Sequence, residues 1–248
     1  MGKLYNQLVT YFKNTPKMKQ MELYKDYHLI DLSLPSGTLW MDRNIGASSP
    51  EDSVLYFAWG ETQGYTTDEV GKAKQFSWSD YKFGKEKALT KYNSTDGLII
   101  LETTDDAANQ YIGGKCNIPT KEQLQELLDN TISTWTMQNG VYGRLFTSKD
   151  NGNSIFVPAA GFGGDGSMGG VGSGGGLCSS SLDGDNTNGA WGLGFVSGGA
   201  CLYSNDRCYG GSVRGVVDGK NYLKRREKLL QEPLFKPLTH TVIDNEEN

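Results

Sequence analysis

An α+β domain built from short strands is the class this sequence predicts, and three observations predict it. Leu34-Pro-Ser-Gly-Thr-Leu-Trp40, Ile45-Gly-Ala-Ser-Ser-Pro50 and Tyr56-Phe-Ala-Trp59 are short apolar runs cut by turn residues, as expected of tightly joined strands. Pro119-Thr120-Lys-Glu-Gln123 has the form of a capping box, with Thr120 as N-cap and Gln123 reaching back, ahead of Leu124, Leu127 and Leu128 on one helical face. Ala190-Trp-Gly-Leu-Gly-Phe-Val-Ser197 alternates with a period of two, which as a strand turns Trp191, Leu193 and Phe195 inward and Gly192, Gly194 and Val196 outward.

The other elements follow in chain order. Leu4, Leu8, Tyr11 and Phe12 before Asn14-Thr15-Pro16 predict a short amphipathic helix ended by proline. Asp105 to Tyr111 reads as another short helix, and Gly143-Arg-Leu-Phe-Thr and Ser154-Ile-Phe-Val-Pro158 read as strands. Tyr222, Leu223, Leu229 and Leu230, set among Lys224, Arg225, Arg226, Glu227 and Lys228, predict a surface helix before the polar tail from Asp244 to Asn248. The expected organisation is an N-terminal helical attachment segment over residues 1–28, a domain over 29–217, and a C-terminal helix and tail over 218–248.

Composition removes several functions. The 248 residues carry a net charge of −5, and their six arginines and eighteen lysines are scattered, which argues against nucleic-acid binding. No run of eighteen apolar residues exists and the start lacks a signal-peptide h-region, so neither membrane insertion nor export by this N-terminus is expected. Cys116, Cys178, Cys201 and Cys208 contain no Cys-x-x-Cys pair, and His28 and His240 lie far apart, so no zinc cluster or dense disulfide framework is indicated. Cys201 and Cys208 could bridge a hairpin, with free thiols the default.

Motifs that resemble chemistry fail on context. Gly161-Phe-Gly-Gly-Asp-Gly166 fits the dinucleotide fingerprint, but the following forty residues hold too much glycine for the required helix. Asp183-Gly-Asp185-Asn-Thr-Asn188 opens like a calcium loop, yet Asn188 stands at the glycine position and Gly194 at the bidentate glutamate position. A polar turn is the stronger reading than a loose Ca²⁺ site, and no cofactor is expected. Asp105-Asp106 could be paired carboxylates for acid–base work, although adjacent acids at a helix start are usually solvated and favoured by the helix dipole. Neither histidine has a recognisable nucleophile partner.

Nineteen of the 33 glycines fall within residues 161–217, and that stretch contains no Lys, Glu or Gln, whereas the other 191 residues contain 39 of them. Met168 and Trp191 are its only Met and Trp. No physical property unites these five depleted types, but a coding property does: a codon free at its first two bases and ending in a pyrimidine specifies every amino acid except those five. A glycine-rich low-complexity loop would explain the glycines and not this exclusion.

Asp31-Leu-Ser-Leu-Pro-Ser-Gly-Thr-Leu-Trp40, Ala58-Trp-Gly-Glu61, Ile118-Pro-Thr-Lys-Glu122, Asn151-Gly-Asn-Ser-Ile-Phe-Val-Pro-Ala-Ala160, Ser179-Ser-Ser-Leu182, Ala190-Trp191 and Ser212-Val-Arg214 stand in this order. In these seven blocks the chain resembles the variable proteins of diversity-generating retroelements of Bacteroides-type bacteria and their phages. It departs from them at Cys178, where they commonly carry Trp, and at Gly215, where they carry Pro. The resemblance implies a C-type-lectin-like fold of the formylglycine-generating-enzyme-like subclass. It also implies that about 161–217 is a variable region, rewritten when a reverse transcriptase misincorporates at template adenines.

On that basis the outward pattern extends to a diversified, ligand-facing set: Asp165, Gly174, Gly176, Leu177, Cys178, Gly192, Gly194, Val196, Gly198, Gly199, Ala200, Cys201, Leu202, Tyr203, Asn205, Asp206, Cys208 and Tyr209. The expected function is non-enzymatic recognition of a protein or glycan receptor on a bacterial surface, from a phage or prophage tail tip. Residues 1–28 would attach the module to its carrier or to a copy of itself. The chain is then expected in a virion or, before assembly, in the bacterial cytoplasm. The alternatives are a formylglycine-generating-type oxidase sharing the fold, which needs a suitably placed cysteine pair, and a bacterial surface lectin or adhesin. The sugar-binding triplets of calcium-dependent lectins are absent.

Overall fold

Residues 22–24 and 26–220 are described by the computed structural model. The helix expected before Pro16, and the helix and polar tail expected beyond residue 220, lie outside the described residues. The architecture is β-rich with few helices, all of them short. β1 (Glu22–Tyr24), β2 (Tyr27–Asp31) and β3 (Thr38–Met41) form an antiparallel meander. β3 pairs in turn with the C-terminal strand β15 (Val216–Asp218), and β15 with β6 (Cys116–Asn117). This sheet therefore begins upstream of residue 29. It ties the two ends of the domain together, with Trp40 opposite Val216.

Between β3 and β6 lies a long, irregular stretch whose only strands are the minor pair β4 (Gly84–Lys85) and β5 (Ala88–Leu89). Tyr56 to Trp59, expected as a strand, makes isolated bridges instead: Tyr56 with Tyr65 and Phe57 with Gly211. The short helix expected from Asp105 begins later, as α1 (Ala107–Ile112), because Asp106 is its N-cap and accepts the Asn109 N–H at 2.9 Å.

α2 (Lys121–Asn130) forms as its capping box dictates. The Thr120 hydroxyl accepts the Gln123 N–H at 3.3 Å, and Gln123 Oε1 accepts the Thr120 N–H at 2.9 Å. Leu124 and Leu127 are fully buried and Leu128 packs beside them, so burial contributes about 2 kcal/mol for each of the first two. The helix stops where Thr131 turns extended and opens β7 (Thr131–Gln138), which continues into β8 (Val141–Ser148) and β9 (Ser154–Pro158).

The glycine-rich segment is not a loop. It folds into the hairpin β10 (Phe162–Gly164) and β11 (Ser167–Gly169), then the antiparallel sheet β12 (Gly174–Leu182), β13 (Gly189–Val196) and β14 (Gly199–Asp206). Two apolar clusters hold the domain. One gathers the irregular stretch through Tyr56, Phe57, Phe76 and Tyr92. The other lies under α2 and joins Leu124, Leu127, Phe146 and Val157 to Leu177, Leu193 and Phe195. Glycine is required where the hairpin meets the first cluster: a Cβ on Gly163 or Gly210 would lie 2.6 or 2.7 Å from the Phe76 ring. No helix among the described residues is long and apolar enough to cross a membrane.

Candidate functional site

Directly opposed residues of an antiparallel sheet share a face, so the register of β12–β14 sorts the glycine-rich segment into two sets. One face carries three rows of three: Gly174, Val196 and Gly199; then Gly176, Gly194 and Cys201; then Cys178, Gly192 and Tyr203. Its small side chains leave a cavity of about 610 Å³ with a mostly apolar lining. The strand backbone makes the floor, and Phe162, Val196, Tyr203 and Tyr209 rise around it. Phe162 is 47% exposed and covers Gly169; Tyr203 is 40% exposed and its ring lies over Gly192 and Gly194.

The opposite face is packed. Leu177, Leu193 and Phe195 are buried in the second cluster, and Ala200 and Leu202 pack against it. The assignment of Leu177, Ala200 and Leu202 to the outward set is therefore corrected: pairing with Leu193 places Leu177 and Leu202 inward, and pairing with Phe195 does the same for Ala200. Cys208 is corrected too, because the chain turns into the first cluster after β14 and leaves that thiol fully buried. Trp191 is on the packed face as expected but only half-buried, its ring capped by Lys121 Nζ at 3.3 Å from the centroid.

The remaining expected positions lie at the rim. Gly198 is in the turn joining β13 to β14, and Asn205 and Asp206 close β14; all three line the cavity. Tyr209 forms part of the wall and donates from its hydroxyl to Asp165 Oδ2 at 3.3 Å, which brings Asp165 to the same side. Not every glycine on this face has room for a side chain. A Cβ on Gly176 would meet the Leu193 carbonyl at 2.4 Å, whereas Gly198 and Gly199 face open space.

Two buried arginines hold the ends of this sheet. Arg144 on β8 donates to the carbonyls of Val196 and Ser197 at 3.1–3.2 Å, and to Ser133 across its own sheet. Arg207 follows β14 and donates to the carbonyls of Lys91, Tyr92 and Thr187 and to the Tyr81 hydroxyl, at 2.7–3.1 Å. Arg207 and Trp59 also line the cavity and were absent from the expected set, as was Phe162. Phe162 carried a signal, an aromatic flanked by glycines at the start of the segment. Trp59 is remote in sequence and carried none.

Two groups that face the cavity, the Cys178 thiol and the Tyr203 phenol, stay neutral near pH 7. Burial pushes the Cys178 and Cys208 thiols up to about 12. Desolvation, then the thiols of Cys178 and Cys201, raise the Tyr203 phenol to about 12. None of the four cysteines is joined in a disulfide.

The other motifs resolve into structural roles. Gly161 to Gly166 leads into a hairpin and not a helix. Asp183 and Asn186 each accept a backbone N–H two residues ahead, at 3.2 Å. Asp105 and Asp106, expected as solvated, are both buried. Asp105 bonds Lys82 at 2.7 Å, Lys91 at 2.6 Å and the Tyr92 hydroxyl at 2.8 Å, while Asp106 accepts the N–H groups of Asn109 and Ile118. Compared with known proteins, the chain matches no family model, no curated protein and no solved structure.

Proposed function

We propose that this chain is a hypervariable receptor-recognition protein, diversified by adenine-directed retrohoming, on a C-type-lectin-like scaffold of the formylglycine-generating-enzyme-like subclass. The observation that carries this reading is where the coding exceptions fall. Met168 and Trp191 are the only residues of 161–217 that a pyrimidine-ending codon cannot encode, and neither is on the face of the three rows. Met168 packs against the first cluster and Trp191 points towards α2. The three rows thus hold none of the five excluded types, as expected of a surface meant to change.

The setting we propose is a phage or prophage tail tip, with a bacterial surface receptor as partner. Residues 22–24 and 27–31 pair within the main sheet, so attachment to a carrier or to a second copy falls to the residues before 22. The Cys178 and Cys208 thiols lend the oxidase alternative no support, since groups pushed to about 12 are not thiolates at neutral pH.

Two measurements test the reading. The neighbouring DNA should hold a reverse transcriptase gene and an imperfect repeat of the 161–217 coding stretch that differs only at template adenines; absence of both sinks the reading. A library randomised at the nine row positions with pyrimidine-ending codons, panned on bacterial surfaces, should return binders. In such a binder that retains Tyr203 and Tyr209, Tyr203→Ala and Tyr209→Ala should each weaken binding by about 1–3 kcal/mol while leaving thermal stability nearly unchanged.

A further inference from the structure

β14 is the outer strand of its sheet, and recesses of different chemistry lie on its two sides. A two-residue turn, Ser197-Gly198, joins Val196 to Gly199, so Gly199, Cys201, Tyr203 and Asn205 direct their N–H and C=O groups at β13. Ala200, Leu202 and Ser204 direct theirs away, and among the described residues no backbone hydrogen bond reaches those amides. Three residues at alternate positions therefore present an unpaired ladder with the spacing of a strand.

On one side of this edge Cys201 and Tyr203 border the apolar cavity. On the other, Leu202 and one stripe of α2 line a recess of about 340 Å³. That stripe holds Glu122, Glu126 and Asp129. Of the cations beside it, Lys121 is engaged over the Trp191 ring and Lys149 Nζ donates to the Asp129 carbonyl at 2.6 Å. Glu126 accepts from the Ser36 N–H and hydroxyl, which leaves Glu122 and the Asp129 carboxylate as the exposed acids. One side of the edge is mostly apolar, with Asp206 and Arg207 only at its far end; the other is acidic.

We infer that β14 takes an extended segment of a protein partner as a fourth strand, in which apolar residues alternate with basic ones. This rests on reading the cavity face as the recognition surface. Main-chain bonds to Ala200, Leu202 and Ser204 hold the segment. Its apolar side chains enter the glycine-floored cavity, and its basic side chains lie along the acidic stripe of α2. The main-chain ladder stays the same whatever the variable residues are, so variation at Cys201 or Tyr203 retunes which apolar side chain is accepted.

The probe is the peptide Ac-Val-Lys-Phe-Lys-Val-Lys-NH2, titrated calorimetrically into the full chain. It should bind about tenfold more tightly than the block peptide Ac-Val-Phe-Val-Lys-Lys-Lys-NH2 and than the version with Glu in place of Lys. N-methylation of one alternate set should abolish binding and of the other should spare it; loss with the lysine set means antiparallel addition. The exposed double variant Glu122→Gln, Asp129→Asn should remove the preference for Lys over Glu. Equal affinity for the block peptide, indifference to N-methylation, or no binding at millimolar peptide would overturn the inference. So would a dimer of the chain that the peptide does not compete with.

The readings fail separately. If library variants bind folded targets without competition from the peptide, strand addition falls and hypervariable recognition stands. If the library returns no binders, the reverse follows from peptide binding to the unaltered chain.

Discussion

The two faces of the β12–β14 sheet share the same backbone and the same stretch of sequence, yet they carry opposite burdens. Leu177, Leu193 and Phe195 close one core cluster, while the residues beside them in sequence, Gly176, Cys178, Gly192, Gly194 and Val196, look onto an open cavity. One face can vary only if nothing in the fold depends on its side chains. The arginine anchors show how that is arranged. Arg144 grips the carbonyls of Val196 and Ser197, and Arg207 those of Lys91, Tyr92 and Thr187, and a carbonyl is supplied by every residue type. The hairpin tip is thus fixed through groups that substitution leaves in place.

The largest expected contrast lies within β13. Leu193→Ala removes a fully buried side chain and should lower stability by about 2–5 kcal/mol, read by denaturant unfolding. Val196→Ala, three residues on and on the open face, should stay within about 0.5 kcal/mol. Similar losses at both positions would erase the distinction between the faces.

Next in size is Asp105, which serves the body of the domain and not the cavity. Burial raises its carboxyl, but bonds from Lys82, Lys91 and Tyr92 outweigh that and hold it below its ordinary value. A carboxylate depressed in the folded state contributes stability above its unfolded value of about 3.9, and loses it as the pH falls through the lower folded value. Asp105→Asn should therefore cost about 2 kcal/mol at pH 7. The deficit should shrink below about pH 4, where wild type loses the same contribution. Tyr203→Ala should leave this acid limb unchanged, and a shift of the limb would tie the cavity face to the body.

A smaller effect divides the open face itself. Gly176→Ala forces a Cβ towards the Leu193 carbonyl and should destabilise by about 1–3 kcal/mol, so this position is less free than its neighbours in the row.

Much of this was legible in the sequence. The α2 capping box and its leucines follow from spacing alone, and so does the alternation of β13, because Trp191, Leu193 and Phe195 are large enough to mark a face. β12 and β14 were harder: in Gly174-Gly-Gly-Leu-Cys178 and Gly199-Ala-Cys-Leu202 the residues are too small to show a period, so the faces of Leu177, Ala200 and Leu202 emerge only from pairing with β13. β7 escaped notice because it turns Ile132 and Met137 towards solvent, against the usual pattern. Asp105 and Asp106 misled because their partners, Lys82, Lys91 and the Ile118 amide, are brought to them by the fold and not by proximity in sequence.

The smallest expected effect is the most discriminating. Gly199 opens β14 outside the left-handed region, and an added Cβ there meets nothing within 4 Å. Gly199→Thr therefore introduces no clash. It gains strand propensity and narrows the unfolded ensemble, while it covers no apolar surface. These contributions are each a few tenths of a kcal/mol, so thermal unfolding should place the variant within about 0.5 kcal/mol of wild type. Because Gly199 closes a row with Gly174 and Val196 at the cavity mouth, the same change should alter binding of any cavity ligand by more than it alters stability. A loss as large as that of Gly176→Ala would mean that the glycines of this face are kept for the backbone, and that the face is not free to vary.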